Sequence, residues 1–252
     1  MEPGKKEQIR ALLKAIETGE PEPVAVVNEA QYIQHNPLTR EGSEGLAALF
    51  LRLSKTSPRV EVVRVFEDGD FVFGHTDYDF NVREVGFEVF RFEKGQVVEH
   101  WDNLQLKPEG VNPSGHTMLD GAIDAVDLDK TEANRERVRS FVDEVLIGGA
   151  VERLPEYVHA KSYVEHNPSM GDGIAALRQA LEENLAQNSY EKRHRLLAEG
   201  SFVLSVCEGQ RGADPVSFYD LFRLIDGTIV EHWDTVDVIP PRSEWVNENG
   251  KF

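Results

Sequence analysis

The 252-residue chain sets 45 Asp and Glu against 27 Lys and Arg, a net charge of −18. With no basic run anywhere, that balance excludes nucleic-acid binding, which needs clustered Lys and Arg. A single cysteine, Cys207, excludes an intrachain disulfide framework and a cysteine-built zinc site, and no stretch of about eighteen apolar residues exists to cross a membrane. A soluble, cytoplasmic protein is expected.

Ile9, Leu12, Leu13 and Ile16 recur at helical spacing, and so do Val138, Phe141, Val142 and Val145 further on. Each half therefore opens with an amphipathic helix. A short apolar segment then runs into Tyr32-Ile33-Gln34-His35-Asn36-Pro37 in the first half and Tyr163-Val164-Glu165-His166-Asn167-Pro168 in the second, where proline should close a helical hairpin and start a loop. A third helix follows at Gly45–Leu49 and at Gly173–Leu177. Beyond it the period drops to two. Val60–Val65, Phe71–His75 and a final hairpin are rich in β-branched and aromatic residues. Helices first and strands after read as α+β: two tandem domains, each a curved antiparallel sheet wrapped by about three helices. The expected boundaries are 1–115 and 131–252, with residues 116–130 as linker, inside the Pro- and Gly-containing stretch Lys107–Lys130. Val111-Asn112-Pro113-Ser114-Gly115 resembles Val246-Asn247-Glu248-Asn249-Gly250, so each domain has a short tail that could pack on its partner.

The hairpins carry the chemistry. Glu99-His100-Trp101-Asp102 returns as Glu231-His232-Trp233-Asp234, each after a Gly turn. Alternation puts His100 and Asp102 on one face and Glu99 and Trp101 on the other. A two-residue turn at Lys94-Gly95 would set Glu88 beside Trp101, on the far side from His100. A three-residue turn at Glu93-Lys94-Gly95 would set it across from His100, and a turn at Ile225-Asp226-Gly227 would do the same for Asp220 and His232. The longer turn is favoured because it unites the ionisable groups of both copies.

On that reading Glu88, His100 and Asp102, and Asp220, His232 and Asp234, form two acid-base clusters suited to proton transfer. The alternative is a satisfied salt-bridge network at the sheet edge. His35 and His166 are placed at the pocket mouth, with His75, Phe90 and Phe222 as further ligand contacts; His75 has Val206 as its counterpart. No compact HExxH-like spacing appears, so no metal is expected. Trp101 and Trp233 read as packing residues, and Cys207, in the run Phe202–Cys207, as a core thiol.

Tyr-x-x-His-Asn-Pro and the strand ending Phe-Arg in both halves, followed by Val-x-Glu-His-Trp-Asp with Ile229 for the Val in the second copy, resemble the SnoaL-like polyketide cyclases of the nuclear-transport-factor-2-like superfamily. The resemblance implies a cone of sheet and helices around a pocket, and dimerisation through the sheet, so that a tandem copy is similar to a linked dimer and could assemble further. Asp220-Leu221-Phe222-Arg223 also resembles the strand carrying a pocket acid in ketosteroid isomerases; Glu88 stands where Asp is usual. For the cyclases it implies cofactor-free aldol chemistry on a small, largely apolar carbonyl compound, with Asp102 and Asp234 as bases. A non-catalytic binding protein and an assembly module built on the sheet faces are the alternatives.

Overall fold

The computed structural model describes residues 3–184 and 188–252. The chain folds as two compact units, Met1–Lys107 with Ile239–Phe252, and Pro108–Val238.

The first unit runs α1 (Lys5–Thr18), a 3-10 turn at Glu22–Val26, β1 (Ile33–Gln34), α2 (Gly42–Leu53), then β2 (Arg59–Asp68), β3 (Phe71–Asp79), β4 (Arg83–Glu93) and β5 (Gln96–Leu106). The sheet order is β1-β5-β4-β3-β2. Helix α1 ends on Gly19, whose φ of 72° accepts the left-handed turn that other residues resist. Its apolar face sends Ile9, Leu12 and Leu13 into a core with Val60, Val72, Phe90 and Phe92. Each such fully buried aliphatic chain contributes roughly 1.5–3 kcal/mol.

The second unit repeats the plan. Helix α3 (Thr131–Phe141) continues through a wider turn at Val142–Ile147 into the short α4 (Leu154–Tyr157), then β6 (Val164–Glu165), α5 (Ile174–Asn184), β7 (Asn188–Glu199), β8 (Phe202–Arg211), β9 (Asp214–Ile225) and β10 (Thr228–Val238). Its order, β6-β10-β9-β8-β7, matches the first. Both sheets are mixed, because β1 and β6 run parallel to β5 and β10. The Tyr-x-x-His-Asn-Pro motif is thus a two-residue strand rather than the end of a helical hairpin.

Two expectations need correction. The domain boundaries shift, because residues 108–130 belong to the second unit and Ile239–Phe252 to the first. The repeated asparagine explains it: Asn112 donates its side-chain amide to the Glu165 and Asn167 carbonyls, and Asn247 donates to those of Asn36 and Thr39. Each tail folds with the unit other than the one whose last strand precedes it.

The hairpin turns are the second correction. Lys94 and Gly95 both have positive φ, 50° and 81°, as do Asp226 and Gly227, so the turns contain two residues, whose twist suits the strands. A bulge then follows. Phe92 pairs with Val97 but Arg91 with Glu99, leaving Val98 extra; Leu224 pairs with Ile229 but Arg223 with Glu231, leaving Val230 extra. One added residue reverses strand parity just as a third loop residue would. Glu88 therefore does share a face with His100 and Asp102, but its direct partner across the ladder is Asp102, and Asp220 likewise faces Asp234.

Candidate functional site

A cavity of about 450 Å³ opens between the helices and sheet of the first unit. Leu12, Leu13 and Ile16 of α1, Leu49 and Leu53 of α2, and Phe90 and Leu104 of the sheet supply its apolar walls. Tyr32, Gln34, Asn36, Tyr78, Glu88, His100 and Asp102 make one polar end. Strand periodicity sorts them. Gln34 pairs with His100 in register, so Tyr32, Gln34 and Asn36 face inward while Ile33 and His35 face away.

Each polar side chain is fixed by a neighbour. The Asn36 backbone N–H donates to Gln34 Oε1 at 2.8 Å, which identifies that atom as the oxygen; His100 Nδ1 must then carry a hydrogen and donate to it at 3.1 Å. His100 Nε2 lies 2.6 Å from Glu88 Oε2, and the Tyr78 hydroxyl donates to Glu88 Oε1 at 2.8 Å. Burial pushes the Glu88 carboxyl up, only partly offset by its bond with His100. Burial opposes charge on His100 too, yet the hydrogen bond and charge of Glu88 outweigh it and raise the imidazole. The pair therefore holds its shared proton more tightly than either group would in water.

Asp102 is presented differently. Asn36 Nδ2 donates to its Oδ2 at 2.8 Å, the amide being oriented by the Leu38 N–H on Asn36 Oδ1. Asp102 Oδ1 is buried without a hydrogen-bond partner, and Lys251 Nζ stands 3.6 Å away. Asp102 is thus the cluster's available acceptor. Burial, with the charges of Glu88 and Asp102, drives the Tyr32 hydroxyl far above its ordinary value and keeps it a neutral donor.

The second unit is wired differently, beginning with one substitution beside the histidine. Glu165 stands where the first unit has Gln34, so His232 lies between two carboxylates, Nδ1 3.0 Å from Glu165 Oε1 and Nε2 3.1 Å from Asp220 Oδ1. Burial would lower His232, but the Glu165 charge and the Asp220 hydrogen bond carry it well above normal. Tyr163, the counterpart of Tyr32, gives its hydroxyl to Glu165 at 2.5 Å. Asp234, held by Asn167 Nδ2, is pushed up to about 7, chiefly by burial, with the Glu165 and Asp220 charges adding and His232 opposing. The tyrosine on Asp220 is Tyr190 of β7, whereas Tyr78 on Glu88 comes from β3. The exchange is steric. Gly209 of β8 replaces Tyr78, and Phe218 fills the place of Gly86, where a Cβ would meet Tyr78 and Leu104 below 3 Å.

The structure brings together Glu88, His100, Asp102 and Phe90, whose ring stacks 4.5 Å from His100, and in the second unit Asp220, His232, Asp234 and Phe222. It does not bring the other histidines in. His35 stacks on Trp101 at 4.5 Å and bonds Glu99, and His166 stacks on Trp233 at 4.6 Å and bonds Glu231. These contacts lie across the sheet from the acid clusters. His75 is buried on that opposite face too, 2.6 Å from Arg64 and stacked on Phe87. Gln34, Asn36 and Tyr32 also line the pocket, and alternation through Tyr32-Ile33-Gln34-His35-Asn36 is the sequence signal that carries them. Ligand atoms of Glu88, His100 and Asp102 lie within 4.8 Å of one another, as do those of His116, Asp120 and His166, so either group has the composition of a metal site.

Residues 9–100 match the family model of the SnoaL-like domain. No curated protein sequence matches the chain. Among solved structures, a ketosteroid isomerase candidate from Kribbella flavida DSM 17836 is 20% identical, covering 47% of this chain and 91% of its own, with a TM-score of 0.39. A LEH-like epoxide hydrolase from M. tuberculosis is 22% identical over 43% of this chain and 85% of its own, TM-score 0.36. An NTF2-like protein of unknown function from Cytophaga hutchinsonii is 21% identical over 42% and 95%, TM-score 0.36. No helix among the described residues is long and apolar enough to cross a membrane.

Proposed function

We propose that the first unit, a SnoaL-like domain by its match over residues 9–100, binds a small, largely apolar carbonyl compound and moves a proton at the carbon beside the carbonyl. One observation carries the reading: Asp102 Oδ1, buried and accepting no hydrogen bond although Lys251 Nζ stands 3.6 Å away, at the polar end of an apolar cavity. In the proposed step Asp102 takes the proton, the C–H electron pair moves into the carbonyl, and the oxygen that gains charge accepts a hydrogen bond from the Tyr32 hydroxyl. Returning the proton to the same or a conjugated carbon completes exchange or isomerisation; attack of the carbanion on a second carbonyl gives ring closure. Glu88 and His100 shape the field at that end without touching the reacting carbon.

The second unit's cluster supports a structural role, since its imidazole is held between two carboxylates and its tyrosine hydroxyl is committed to Glu165. Proton–deuterium exchange across a panel of apolar ketones and aldehydes tests the proposal. Wild type should accelerate exchange for some members, Asp102→Asn should abolish it, and Asp234→Asn should leave it. If compounds bind with no faster exchange than in Asp102→Asn, the unit is a binding module.

A further inference from the structure

We propose that His116, Asp120 and His166 form a binding site in the second unit for a divalent transition-metal ion, zinc foremost. Nothing in the acid-base reading uses these residues, and they lie on the opposite side of β10 from His232.

The donor set suits such an ion, with two imidazoles and a carboxylate whose ligand atoms fall within 4.8 Å of one another. The surroundings are those of a metal ligand shell. His166 turns Nδ1 toward Asp120 Oδ1 at 3.0 Å and sets Nε2 against Glu231 at 3.0 Å. His116 likewise turns Nδ1 toward Asp120 Oδ2 at 3.6 Å and sets Nε2 against Asp172 at 3.1 Å. Each imidazole thus has one nitrogen at the common centre and the other on a carboxylate, the arrangement that orients a metal-bound histidine and raises its basicity. Glu231 is itself held by Arg223. The Thr117 carbonyl, 2.9 Å from His166 Nδ1, offers a further oxygen at the centre. Binding places the ion between His166 Nδ1 and Asp120 Oδ1, which now meet at 3.0 Å, with Nε2 left to donate to Glu231.

The chain is shaped to hold this geometry. Gly121 has a φ of 93°, and a Cβ there would fall 2.2 Å from Glu231 Oε1 and 2.9 Å from His166 Nε2, so only glycine lets the segment carrying His116 and Asp120 press this close. The Trp233 indole donates to the Asp120 carbonyl at 2.9 Å and fixes its height. His116 is partly exposed, which gives an ion a way in. The first unit is an internal control. Aligned by Asn112…Gly115 and Asn247…Gly250, the position of His116 is Lys251, which supplies no imidazole and turns its ammonium to Asp102 at 3.6 Å. His35 keeps the carboxylate partner, Glu99, but among the described residues no second histidine joins it in a metal-ligand group.

Calorimetric titration of the tag-free, chelator-treated 252-residue chain with zinc chloride tests the site, with cobalt absorption reporting coordination. Expected are one equivalent bound, a rise in the thermal midpoint, and at least a tenfold weakening in both His116→Ala and Asp120→Asn. Asp120→Asn keeps an oxygen for the Thr117 N–H that Asp120 now accepts, so loss of binding there is not loss of the turn. Saturable binding that survives both substitutions, or that disappears instead in His100→Gln, overturns the assignment, as does the absence of saturable binding in wild type.

Discussion

Lys251 holds its ammonium nitrogen 3.6 Å from Asp102 Oδ1, with both side chains almost fully enclosed. The lysine comes from the C-terminal tail and the aspartate from β5, so the polar end of the first cavity is completed by residues about 150 positions apart in the sequence. A buried charge that loses its partner is penalised more than the pair was worth together. Lys251→Met should therefore destabilise the protein by about 2–3 kcal/mol, while Lys251→Met with Asp102→Asn should recover at least half of that. Urea unfolding of the four proteins in the cycle measures it; additive losses would show that the two groups are not coupled.

The Glu88–His100 pair sets a pH dependence whose sign follows from both shifts. Each group binds its proton more tightly in the native state than when unfolded. The histidine's stabilisation is complete below its unfolded value, about 6.5, and disappears as pH rises through the folded one; burial of ionised Glu88 penalises the native state above about 4.5. Both effects lower stability with rising pH. Thermal midpoints recorded from pH 5 to 9 should fall, and His100→Gln should flatten the part of the fall above pH 6. An unchanged slope in the variant would remove His100 from the account.

Asp234 gives a sharper case, since it is pushed up to about 7 and lies wholly inside the second unit. At pH 8 the native state must hold it ionised in a site that favours the neutral acid. Asp234→Asn, which still accepts from Asn167, should stabilise the protein at pH 8, by on the order of 3 kcal/mol, and do little at pH 4. A destabilising effect at both pH values would mean that the carboxylate is needed for packing rather than tolerated.

Much of this arrangement is legible in the sequence because it is written at short range. Period-two alternation and the repeated Gly turns establish the hairpins, and the shared face of His100 and Asp102 follows from spacing alone. The position of Glu88 emerges on the right face for a different reason from the one that favoured it, since a bulge at Val98 supplies the parity expected of a longer loop. Bulges leave no dependable mark in sequence, and Val98 looks like any strand valine. The histidines of Tyr-x-x-His-Asn-Pro are misplaced because a two-residue parallel strand is too short for its alternation to stand out, and its partner, β5, is some 65 residues away. The exchange of tails is a tertiary fact. Its trace, the repeated Val-Asn-x-x-Gly, shows that something is bound without showing what.

One difference between the two clusters is a single carboxamide, Gln34 against Glu165, and it predicts a conversion. Gln34→Glu would give the first unit the second unit's wiring: His100 would lie between two carboxylates, and the Tyr32 hydroxyl would turn to the new acid as Tyr163 does to Glu165. The cavity walls, contributed by α1, α2 and Leu104, would be untouched. Catalysed exchange should fall at least tenfold while the thermal midpoint holds within a few degrees, because the added charge is paired with an imidazolium rather than left alone. Glu165→Gln in the second unit is the reciprocal variant. It frees Tyr163 and should lower the thermal midpoint, since His232 loses one of its two counter-charges. Exchange that survives Gln34→Glu at the wild-type rate would show that Tyr32 is not the donor to the developing oxygen and would return the role to another group at the cavity's polar end.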